Sequence, residues 1–105
     1  MVILIVQGTT PTHTFNLPFA ASFVKSVIIS YIQNEEIVFS KDETACRFNN
    51  NSIELDLSQE ETFKLDPQHY CLIELRVLTT ENKALKAKIK NVRVRKTYDK
   101  GVFKI

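Results

Sequence analysis

Few side chains in this sequence combine the type and spacing that chemistry needs. "TTPTHTFNLPF" (9–19) sets His13 between two threonines, and "DPQHY" (66–70) places Asp66 and His69 just ahead of Cys71. An imidazole flanked by a carboxylate and a thiol is the raw material of nucleophilic catalysis. The local pattern argues against that use. Asp66 precedes Pro67 and reads as a turn residue, while Cys71 opens a strand. Around His13 the polar set Thr12, Thr14 and Asn16 alternates with His13, Phe15 and Leu17. The imidazole therefore belongs to the apolar face of a strand near a sheet edge, with no neighbouring carboxylate or cysteine to orient it or complete a site.

Other catalytic patterns are missing. The glutamates of "SQEETF" point apart on one turn and are expected to be solvated. No P-loop, GxGxxG or GxSxG occurs, and two glycines could not build them. Cys46 and Cys71 form no CxxC, and with His13 and His69 they complete no zinc pattern. Reduced, buried thiols are expected for both. No catalytic, cofactor-binding or metal residues are assigned, and no small-molecule substrate is expected.

The elements that carry these residues are strands. "SIELDL" (52–57), "LIELRVL" (72–78) and "LKAKIK" (85–90) alternate apolar and polar residues, the signature of half-buried strands. Leu85, Ala87 and Ile89 are expected inward, with Lys86, Lys88 and Lys90 outward. After Asn91 the phase slips, so that Val92 and Val94 face inward and Arg93 and Arg95 outward. One extra residue does this in a β-bulge, expected near Lys90–Asn91, with a break between two separate strands as the competing reading. "VKSVIISYIQ" (24–33) is apolar on both phases, so Ile28 and Ile32 are expected to lie in core or at an interface, as is the N-terminal "VILIV". "QNEE", "NNNS" and "TTENK" read as turns. "SQEE" is a capping box, with Ser58 as N-cap and Glu61 reaching back, and Pro67 limits the segment to about one helical turn near 58–62. Strands at this spacing predict an all-β, antiparallel β-sandwich of about eight strands, one domain over residues 1–105.

Charge is divided along the chain. Residues 83–105 hold nine Lys and Arg against the single acid Asp99, or +8, while residues 1–82 hold five bases and 11 acids, or −6. Lys86, Lys88, Lys90, Arg93 and Arg95 make a basic stripe, a possible docking surface for an acidic protein patch or, less favoured, for phosphate backbone. Tyr98 and Phe103 do not interleave with these bases, which argues against nucleic acid. The stripe also suits a solvated edge strand that repels stray pairing. "VILIV" lacks the basic lead, length and cleavage site of a signal peptide, and no apolar run is long enough to span a membrane. A soluble protein made in the cytosol is expected.

"GTTPTHTFNLPF", "VIISYIQNEEIVFSKDE", "IELDLSQEETFKL" and "IELRVLT", in that order over residues 7–80, resemble a family of small proteins encoded among the structural genes of prophages and phages of Firmicutes. The family pattern is G-T-T-P-T-H-x-F, a Y-x-Q strand, an L-[ST]-Q-E-E-T segment and a Q/E-L-R-V-L-T strand. This chain departs from it at "TENK", where relatives more often carry glycine, and Asn82 is expected to take the left-handed position instead. The resemblance implies an immunoglobulin-like, virion-associated sandwich that docks on other virion proteins or on itself. It implies no catalytic residues and transfers no binding residues.

Overall fold

The computed structural model describes residues 4–105, without the side chains of 88–90. Eight strands and one α-helical turn follow one another, with 3-10 turns at Ala21–Phe23 and Glu43–Ala45: β1 Leu4–Val6, β2 Thr12–Asn16, β3 Val24–Gln33, β4 Glu36–Asp42, β5 Cys46–Asn49, β6 Ser52–Asp56, α1 Gln59–Phe63, β7 Cys71–Thr79 and β8 Ala84–Arg95. They form a five-stranded sheet, β1-β8-β7-β3-β4, and a three-stranded sheet, β2-β6-β5.

Turn chemistry sets the hairpins. Asn34 and Glu35 join β3 to β4 with both φ angles positive, at 52° and 64°, the conformation that matches the twist of paired strands. Asn50 (φ 38°) opens the β5–β6 turn and Asn82 (φ 63°) sits in the β7–β8 turn, where it takes the left-handed place. Gly8 (φ 78°) has a different constraint: a Cβ there would lie 2.7 Å from the Phe63 ring. At α1, the Ser58 hydroxyl accepts from Glu61 N–H (3.1 Å), and the Glu61 carboxylate accepts from Ser58 N–H (2.8 Å). This turn carries the chain from the small sheet to the large one.

The core is the layer between the sheets, filled by the inward residues the alternation identifies. Ile53 and Leu55 from β6 meet Val27, Ile29 and Tyr31 from β3 and Cys71, Ile73, Leu75 and Val77 from β7. The phase slip in β8 is a bulge: Ile73 pairs with Lys90 but Glu74 with Lys88, so Ile89 is the extra residue. Val92 and Val94 are consequently buried while Arg93 and Arg95 are exposed. The inward set expected for Ile89 and the outward set for Lys88 and Lys90 lie outside the described side chains.

Two expectations need correction. The sandwich is not wholly antiparallel, because β1 runs parallel to β8 in the register Leu4↔Arg93, Ile5↔Val94 and Val6↔Arg95. Period-two alternation is the same for either direction, so only the chain path could reveal this. Leu85 and Ala87 also are exposed instead of buried. They face the correct side, but the small sheet ends at β2 and leaves them beside an open cleft of about 390 Å³ between Phe15–Phe19 and Leu75, Val77, Leu85 and Ala87.

The strand order places β3, β7 and β8 in one sheet and β2, β5 and β6 in the other, with β4 added beside β3, as in an immunoglobulin-like sandwich. Glu35 holds a left-handed φ without the freedom of glycine or asparagine. Glu35→Gly is therefore expected to raise stability by about 0.5–1 kcal/mol, measured by urea unfolding at constant slope.

Candidate interaction surface

The residues proposed from sequence for contact lie mainly on the outer face of the five-stranded sheet. Reading across the strands, one row runs Asp42, Ile28, Arg76, Lys86, and a second runs Ile37, Ile32, Leu72, Asn91. Between them lie Ser40, Ser30 and Glu74. On the far side Arg93 sits beside Leu4 and Arg95 beside Val6. Ile28 is 41% exposed and Ile37 62% exposed, while Ile32 is half-buried. The both-phase apolar strand thus buries its inner residues and leaves apolar surface on the outside. Ile37, which the sequence reading did not single out, extends that surface. Its signal was present in "EIVFS", an apolar run that continues the strand across the turn.

The basic stripe is partly matched from within. Lys86 Nζ lies 3.3 Å from Glu74 Oε2, an exposed pair of the kind worth under about 1 kcal/mol. Arg93 and Arg95 are exposed, and the side chains of Lys88 and Lys90 lie outside the described residues. Residues 2 and 3 of "VILIV" also lie outside them, whereas Ile5 is fully buried and Leu4 is 42% exposed.

The residues with catalytic potential are placed for packing. His13 is buried on β2, the edge strand of the small sheet, and its Nδ1 lies 2.6 Å from the Tyr31 hydroxyl. Tyr31 stacks on Phe39 as well, with ring centroids 4.6 Å apart. The phenol has no second partner among the described residues, so the two side chains share this one hydrogen bond. The His13 Nε2 is buried without a partner. Burial therefore pushes the His13 pKa down and the Tyr31 pKa up.

Asp66 and His69 make a surface contact of 3.6 Å, with both side chains about half exposed. Cys71 is fully buried in the core, so the three are not assembled into a nucleophile site. Burial raises the Cys71 thiol to about 11, and burial together with Asp42 and Glu43 raises Cys46. Both cysteines are free, and the expected burial holds for Cys71 but not for Cys46, which is only partly buried. Among the described residues no group of three or more His, Cys, Asp or Glu could hold a metal ion, and no helix is long and apolar enough to cross a membrane.

Three buried glutamines were not anticipated as structural residues. Gln33 Nε2 donates to the carbonyls of Asp66 (2.8 Å) and His69 (3.0 Å), and its Oε1 accepts from Asp66 N–H (2.8 Å). Gln7 Nε2 donates to Leu65 O (2.8 Å), and its Oε1 accepts from Thr97 N–H (3.1 Å) and Lys100 Nζ (2.6 Å). Gln59 bonds both backbone groups of Phe103, at 2.8 and 3.1 Å. Each amide acts as a short piece of strand, fastening a loop or the C-terminal segment to the sandwich. Gln33 falls in the apolar phase of its strand, the one legible hint of this role.

No family model matches the chain, and no curated protein does. Among solved structures the chain is similar to the immunoglobulin-like domain of mouse leukocyte-associated immunoglobulin-like receptor 1, described as a strand-swapped dimer. The TM-score is 0.52 and the identity 11%, over 89% of this chain and 86% of that one. The V domain of amphioxus IgVJ-C2 aligns at a TM-score of 0.36 and 13% identity, over 89% of this chain and 99% of that one. The first likeness agrees with the immunoglobulin-like sandwich drawn from the strand order.

Two measurements check the buried groups. Below about pH 6.5 the unfolded chain protonates His13 while the folded chain resists. Stability is then lost as pH falls through that value, at up to about 1.4 kcal/mol per pH unit, until the folded ring titrates. Urea unfolding between pH 7.5 and about 5.5 should show this slope, and His13→Phe should flatten it. Separately, an aromatic disulfide reagent at neutral pH should leave Cys71 unmodified in the native protein and label it after denaturation.

Proposed function

We propose that the chain is a phage- or prophage-encoded structural or assembly protein that works through contacts with other virion proteins or with itself, and performs no catalysis. It would be made in the host cytoplasm and act during assembly or in the virion. The observation that carries this reading is the outer face of the large sheet, where Ile28 stands exposed between Arg76 and Asp42 and Ile37 stands exposed two rows away, beside Ile32. A mixed face of apolar and charged side chains on a regular sheet suits a protein partner. The four ordered sequence motifs supply the phage assignment. The strand-swapped dimer of the mouse receptor domain is a case of self-association by a similar fold.

Binding of nucleic acid by the basic strand is the competing function. Lys86 is matched by Glu74, which removes one base from the stripe. Light scattering on a sizing column, at low and high salt and with or without a DNA duplex, separates the two. The expected result is a mass above the 12.1 kDa of a single chain at low salt, and no co-elution with DNA. A single-chain mass together with DNA binding that disappears at high salt would replace the structural reading with the nucleic-acid one.

A further inference from the structure

The five-stranded sheet ends in two open edges of opposite charge. At the β4 edge Glu35, Glu36 and Asp42 are exposed, and the one base of that strand, Lys41, is engaged by Glu61 of α1. At the other edge β1 lies alongside Arg93 and Arg95, both exposed, with Lys96 following and no acid before Asp99. Each edge also exposes one large apolar side chain, Ile37 on β4 and Leu4 on β1. Beyond β4 and beyond β1 the sheet has no further strand among the described residues, so each edge offers backbone groups that another strand could pair with. Like charges set each edge against the same edge of another copy, whereas the acidic edge and the basic edge attract.

We propose that copies of this chain associate head to tail, the acidic β4 edge of one against the basic β1–β8 edge of the next, with Ile37 and Leu4 closing the seam. This rests on the structural-protein reading and goes further by naming the surface and the partner. A contact between unlike surfaces closes into a ring when the rotation per copy allows it, and otherwise continues as a filament. β1 spans only three residues, so each contact is small, weak alone and strongly dependent on salt.

Charge reversal tests it. Glu35→Lys/Glu36→Lys gives a chain with two basic edges, and Arg93→Glu/Arg95→Glu gives one with two acidic edges. Circular dichroism first confirms that both variants fold, and sedimentation velocity is then run at low and high salt. Wild type is expected to assemble with concentration at low salt and to dissociate at high salt. Each variant alone should remain a single chain, and an equimolar mixture should assemble again, because the two alternate. Assembly of either variant alone at the wild-type level, or failure of the mixture to assemble, overturns the edge pairing and leaves self-association through another surface standing. A wild type that stays a single chain at low salt overturns the pairing and self-association together.

Discussion

No disulfide joins the two sheets, since both cysteines are free thiols, so the layer between the sheets must hold them against each other. Immunoglobulin domains of the antibody type pack a tryptophan against a disulfide joining the strands equivalent to β2 and β7. Here β2 supplies His13, β7 supplies Cys71, and β3 supplies Tyr31, whose hydroxyl spans the layer to the imidazole. A buried hydrogen bond of this kind adds on the order of 1 kcal/mol, and losing one partner costs more than the bond contributes. The apolar surface around it supplies most of the stabilisation. The bond instead fixes how the two sheets align, because His13 and Tyr31 have no other buried polar partner among the described residues.

Much of this architecture could be read from the residues. Alternation in "SIELDL" and "LIELRVL" located the inner faces, because a half-buried strand leaves no other stable arrangement. The slip at Asn91 located the bulge to within two residues of Ile89, since a change of phase requires an extra residue. Asn82 and the Ser58–Glu61 box signalled their own conformations. The parallel pairing of β1 with β8 was hidden, because it joins the two ends of the sequence and leaves no local mark. The exposure of Leu85 and Ala87 was hidden for a related reason. Their phase says which way they point, but not whether the opposite sheet reaches far enough to cover them.

Of the candidate surface, the charge division and the apolar excess of residues 24–33 were legible. Their arrangement was not. Only the strand order shows that the acids of "NEE" and the bases of "VRVRK" occupy opposite edges of one sheet. The buried glutamines mark a similar limit. An amide in an apolar phase says that a polar group will be buried, but the carbonyls it serves lie far away in sequence, as with Gln7 and Thr97.

The pairing of β1 with β8 also governs how the protein comes to exist. Ile5 reaches full burial, and Gln7 reaches its partners, only after Val94 and Thr97 have been made. Synthesis must therefore run past residue 97 before β1 and Gln7 have all their partners. Contacts between such distant residues slow folding, and an unpaired "LIV" segment is exposed in the meantime. The hairpins β3–β4 and β5–β6, closed by neighbouring residues, can form during synthesis and wait. Closure of the large sheet at its basic edge has to wait for residues 93–97.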